Sequence, residues 1–269
     1  MAESNRTEDM KKERILIPVL EKKLKKNIPD LEIIRTDDEE NQFGGSDILM
    51  KSKTLFGDDE FHVVDAKGAT DYIVKEGERA LPTFAMELIS TQDSGVYMGW
   101  ATPYTEEGYY NQTEYFCFYW VFVNDFKKLN EETVSSFEVM IIKKDILVEF
   151  VTTPYNSKFI QKEKFSNFPT RRIEEFSEQR IRQLYAWMQN ICSHMEANGE
   201  TVYNWNGNQI SVLMKNQSIQ MFIYDLSNPK IGGPKIVYTS PKKKKENPLN
   251  MVIAKKPYLE EMAIYHKTI

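Results

Sequence analysis

The run Phe61-His62-Val63-Val64-Asp65-Ala66-Lys67-Gly68 constrains the fold more than any other stretch, because it reads as a β-strand that ends in two charged residues. Successive side chains on an extended strand point to opposite faces, so Asp65 and Lys67 share one side while Ala66 takes the other. Gly68 marks where the strand stops. Upstream, Gly44-Gly45-Ser46-Asp47-Ile48-Leu49-Met50 offers a second apolar segment with its own carboxylate. Strands at 46–52 and 60–67 are joined by Leu55-Phe56-Gly57-Asp58-Asp59, whose composition suits a turn, and hairpin pairing follows. Pairing would set Asp47 beside Asp65 and Lys67. Two carboxylates and an ammonium would then surround a space fit for Mg²⁺ or Mn²⁺, hard cations that prefer oxygen donors. Phosphodiester hydrolysis needs that combination.

Asp47 followed by Asp65-Ala66-Lys67 resembles the core motif of the PD-(D/E)XK nuclease superfamily, an acidic residue on one strand, then Asp or Glu, any residue and Lys on the next. Ser46 stands where the family name has proline, and the resemblance covers roughly residues 8–125. It implies a restriction-endonuclease-like core and a metal-dependent nuclease acting on DNA, an endonuclease rather than an exonuclease, with a homodimer as a frequent assembly. Asp47 and Asp65 would hold the Mg²⁺ or Mn²⁺, and Lys67 would orient the attacking water or stabilise the developing negative charge. Such nucleases often carry a further Glu on the helix before the first motif strand. Glu13 and Glu21 both fit, Glu13 better because the block from Ile15 to Leu20 follows it. Two alternatives stand beside this reading. One is an RNA-directed endonuclease with the same site. The other is a non-catalytic nucleic-acid-binding or protein-interaction module that keeps the fold.

The surrounding pattern predicts an α/β protein with a mixed central sheet flanked by helices. Ile15, Leu16, Val19, Leu20 and Leu24 recur at helical spacing from about Thr7 to Asn27, with Pro18 inside the run implying a kink or a later start. A first strand follows at 31–35. Strands at 83–90, 97–101 and 115–123 are expected to extend the motif sheet, with short helices around a strand at 139–142. A helix over 173–197 stops at Asn198-Gly199. Beyond it, short strands at 201–204, 209–214, 219–225 and 235–239 form a β-rich extension. The division read from this pattern is a nuclease-like core over 1–150 and a helical plus β-rich part over 151–269, within the same domain or as a subdomain.

Glu87 interrupts the apolar run Thr83 to Ser90, a costly place for a charge without a partner. If that strand pairs beside Asp65-Ala66-Lys67, Glu87 becomes a further metal ligand or a partner of Lys67. Arg171, Arg172 and Lys158 are candidate phosphate contacts, as is the Lys242–Lys245 run, which reads as a mobile loop. Tyr104, Tyr109 and Tyr110 are the candidates for base stacking. The net charge of −5 argues against broad non-specific adhesion to nucleic acid, leaving local basic patches to do that work.

Other chemistries lack their residues. Cys117 and Cys192 form no C-x-x-C pair, and His62, His194 and His266 are not spaced as metal ligands. There is no G-x-S-x-G elbow and no G-x-x-x-x-G-K-[ST] loop. Two cysteines in the whole chain suit a reducing compartment, and the absence of a membrane-length apolar run suggests a cytoplasmic protein with no membrane partner.

Overall fold

The computed structural model describes residues 5–36, 48–92, 95–101, 112–126, 128–147, 178–194, 199–205, 208–215, 218–222, 235–239 and 247–269. They form an α/β structure with two sheets, one in each of two compact units. No described helix is long and apolar enough to cross a membrane.

The first unit comprises 1–82, 108–145 and 256–269. Its helix α1 (Asn5–Asn27) runs through Pro18, so the proline does not delay the start. The reason is packing. Leu16, Val19, Leu20 and Leu24 are all buried in one cluster with the sheet beneath, which outweighs the cost of roughly 3 kcal/mol for a proline in a helix interior. Strands β1 (Glu32–Arg35), β2 (Ile48–Lys51) and β3 (His62–Gly68) pair antiparallel in succession, as the hairpin expectation requires. A short helix, α2 (Lys53–Phe56), fills the connection between β2 and β3. Ser52 caps it by accepting from the Leu55 N–H, and Gly57 closes it at φ 90°, a left-handed conformation open to glycine. Asp30 holds the same corner, accepting from Ser52 Oγ and the Thr54 N–H.

Two short pieces complete the sheet around its longest strands. β3 lies parallel to β7 (Tyr115–Val123), as does β4 (Val74–Lys75), and β7 pairs antiparallel with β8 (Val134–Lys143). The last strand, β14 (Ala263–Thr268), lies against the outer side of β8, giving the order β1-β2-β3-β7-β8-β14. The sheet is mixed, as expected. β7 is buried on both faces, which is why its sequence is a nearly unbroken aromatic and aliphatic run.

The second unit comprises 83–107 and 146–255. Its described strands are all antiparallel neighbours: β5 (Thr83–Gln92), β6 (Gly95–Met98), β9 (Gly199–Trp205), β10 (Asn208–Lys215), β11 (Ser218–Phe222), β12 (Lys235–Thr239) and β13 (Leu249–Ala254), in the order β6-β5-β13-β12-β11-β10-β9. The helix α3 (Glu178–His194) buries Ile181, Leu184, Tyr185, Met188 and Ile191. Tyr185 and Tyr238 meet edge to face, and the Asn247 amide donates to both hydroxyls. Burial pushes Tyr185 up to about 12.

Two expectations are corrected here. β5 and β6 do not extend the motif sheet, because the partner of β5 is β13, far along the chain. Nor does the chain divide at 150: residues 83–107 belong with the C-terminal strands, and β14 returns to the N-terminal sheet.

Candidate functional site

Alternation along β3 decides the geometry of the site. Val64 and Ala66 enter the cluster that holds the α1 stripe, together with Tyr115, Cys117 and Tyr119 of β7 and Val139 and Ile141 of β8. Asp65 and Lys67 therefore project from the opposite face. Parallel register sets Asp65 beside Phe116 and Lys67 beside Phe118, two rings stacked at 5.7 Å and 5°. The next strand continues the rows with Ile142 beside Phe116 and Met140 beside Phe118. On this aromatic floor Lys67 Nζ stands 2.8 Å from Asp65 Oδ1. The Asp65 side chain is 1% exposed and that of Lys67 20%. The motif's carboxylate and amine are thus brought together, on one face, as the spacing predicts.

One end of β3 is held by a second set of charges. Both ring nitrogens of His62 meet carboxylates, Nδ1 at 2.8 Å from Glu114 Oε2 and Nε2 at 2.9 Å from Asp58 Oδ1. Carboxylate oxygens only accept, so this geometry calls for the doubly protonated imidazolium. Burial opposes that charge, yet the bonds to Glu114 and Asp58 outweigh it and lift His62 above its ordinary range. Glu114 Oε1 also accepts from the Val63 N–H, and the Glu114 N–H donates to the Val63 carbonyl. The Lys144 N–H donates in turn to the Glu114 carbonyl at 2.8 Å, carrying the β7–β8 ladder one step past the strand.

Of the remaining candidates, Glu13, Glu21 and Glu87 lie among the described residues. Asp47 lies outside the described residues, and the β2–β3 ladder is described as far as Ile48 opposite Val64. Arg171, Arg172, Lys158, Tyr104, Tyr109, Tyr110 and the Lys242–Lys245 run also lie outside them. Glu13 rides on α1, the helix packed on the Val64 and Ala66 face, opposite to Asp65 and Lys67. Its neighbour Lys12 reaches past the end of β3 to Asp71 at 3.3 Å. Glu21 is engaged by Arg35 through two contacts, at 2.6 and 3.1 Å. Glu87 sits in β5, in register with Asn250, in a strand that does not pair with β3, which corrects the pairing expected of it. Among the described residues no three His, Cys, Asp or Glu side chains gather as a metal ion would need.

Two features escaped the sequence reading. The first is the His62 clamp, whose partners sit 4 and 52 positions away. The second is Lys144. Its signal was the Lys143-Lys144-Asp145 cluster closing the apolar run of β8, in which burial lowers the Lys144 ammonium and the negative charges of Asp145 and Asp65 offset part of that effect. No family model, curated protein or solved structure matches the chain.

Proposed function

We propose that this chain is a metal-dependent nuclease that hydrolyses phosphodiester bonds, with DNA as its substrate and Asp65 and Lys67 at its centre. The observation that carries the reading is the 2.8 Å approach of Lys67 to a buried Asp65 on one face of β3. Mg²⁺ is commonly held by one or two carboxylates, its shell completed by water and substrate phosphate. Asp65 fits as one such donor, and the reading assigns the second to Asp47. When bound there, the cation would supply positive charge to the phosphate and a more acidic water.

Lys67 does two things in this reading. Its ammonium fixes the Asp65 carboxylate in one orientation, and its more exposed position lets it face an anionic phosphate oxygen as charge develops. The buried rings of Phe116 and Phe118, next to the pair in register, keep water from that side and strengthen both interactions.

One observation favours a second reading. Asp65 as a residue is 0% exposed, as suits a structural ion pair in a binding module without catalysis. Cleavage of single- and double-stranded DNA and RNA, with Mg²⁺, with Mn²⁺ and with chelator, separates the readings. The natural protein is expected to cut DNA with either cation and to lose at least about 100-fold in rate as Lys67→Ala. Cutting that survives both chelator and the substitution discards the mechanism. Melting temperatures with and without Mg²⁺ that coincide, together with no cleavage, would select the binding module.

A further inference from the structure

We infer that the outer face of α1 is a docking surface for the phosphate backbone of a nucleic-acid duplex, an inference that goes beyond the nuclease reading and does not rest on it. Residues 14–26 hold five cations and one carboxylate, in a chain whose net charge is −5. Leu16, Val19, Leu20 and Leu24 turn inward to the core cluster, so at about 100° per residue the positions opposite them face outward. Arg14, Lys22, Lys25 and Lys26 take those positions, within an arc of about 120° and along about 18 Å of helix. All four are exposed. Lys23 shows the contrast, since it donates to the Ser135 carbonyl at 2.7 Å and serves the packing on β8.

A merely hydrated helix face does not call for this pattern. Opposite signs at three- and four-residue spacing stabilise a helix, whereas Lys22 has Lys25 and Lys26 at those positions and like charges there oppose it. The helix dipole favours Lys25 and Lys26 in the last turn, but its effect fades before Lys22 and Arg14. Glu21, the one carboxylate of the segment, is engaged by Arg35 at 2.6 Å. Among the described residues, Arg14, Lys22, Lys25 and Lys26 form no ion pair. A polyanion supplies the missing negative charge. Its kind follows from what α1 lacks. The helix has no aromatic ring on which unstacked bases could lie, which disfavours a single strand. None of the exposed large hydrophobic side chains described belongs to it, whereas seating on a lipid surface draws on such groups. A duplex, with one charge for about every 1.7 Å of its axis, meets a row of cations without needing either. Since α1 packs on the Val64 and Ala66 face of β3, this surface is separate from the Asp65 and Lys67 pair on the other.

The experiment titrates the full chain into a short fluorescein-labelled DNA duplex in EDTA, with anisotropy followed over a KCl series. The variant carrying Arg14→Gln, Lys22→Gln, Lys25→Gln and Lys26→Gln is expected to lose at least about 100-fold in affinity near about 0.1 M KCl, with the slope of log K against log salt shallower by roughly three to four. The two halves of that set, Arg14→Gln with Lys22→Gln and Lys25→Gln with Lys26→Gln, should each remove about half of the slope change, so a poorly folded fourfold variant does not block the test. Melting curves identify such a variant. Lys75→Gln, Lys128→Gln, Lys256→Gln and Lys267→Gln together remove the same charge from exposed lysines elsewhere, and should cost less than about 3-fold. Equal losses in the two fourfold sets, or an unchanged slope in the α1 variants, overturn the inference. So does a natural protein that binds no duplex. Tighter binding to a single strand of the same length, or to vesicles of phosphatidylcholine and phosphatidylserine, with the same dependence on the four cations overturns the choice of partner.

Discussion

At the scale of single residues, the face shared by Asp65 and Lys67 was legible because strand alternation needs only a correct strand. Their closeness makes a definite stability claim. Lys67→Met leaves a carboxylate that is 1% exposed without its ammonium, and urea denaturation should show a loss of roughly 3 kcal/mol. A loss under about 0.5 kcal/mol would mean the pair contributes little to the fold. His62 gives a pH dependence of defined sign. Its folded value is raised above 6.5, so the clamp's contribution is complete below that value and is lost as pH rises through the raised one. Melting temperatures of the natural protein and of His62→Gln are therefore expected to differ most on the acid side, above the range where carboxylates titrate, and to converge in alkaline buffer. A gap that widens with pH would contradict the assignment. Nothing local announces the full His62 clamp, since Glu114 lies 52 positions away along the chain.

At the scale of elements, period did most of the work. The helices α1 and α3, the β2–β3 hairpin, β7 and the strands β9 to β12 all stand where spacing and turn residues place them. What period cannot supply is partnership between strands distant in sequence. β5 shows this, because an alternating strand fits either sheet and only its pairing with β13 decides between them. The end of β3 offers a sharp test of packing. A Cβ on Gly68 would lie 2.5 Å from the ring of Tyr119, which is fully buried. Gly68→Ala should cost about 1–3 kcal/mol in denaturant unfolding by overpacking, and a neutral result would show that the ring has room to move.

At the scale of the whole molecule, the division between units was illegible because the chain leaves the first unit near Pro82, returns near Gly108 and comes back again at Lys256. Single residues stand at those crossings, Pro82, Gly108 and Pro257, with no run of Gly, Ser or Pro to read as a linker. The closing strand is open to a direct test. β14 covers the outer side of β8, and Phe137 and Ile269 exchange a further pair of backbone hydrogen bonds. Deleting residues 263–269 uncovers a long edge of Val139, Met140, Ile141 and Ile142, and size-exclusion chromatography should then show aggregate in place of a discrete peak. A truncated chain that elutes and melts like the natural one would contradict that role. Because the segment that seals this edge follows the second unit, a ribosome must translate residues 146–255 while the edge stays bare. Synthesis thus contains an interval of exposure in which chaperones or self-association compete for the nascent protein, and its length is set by elongation speed rather than by the intrinsic rate of folding.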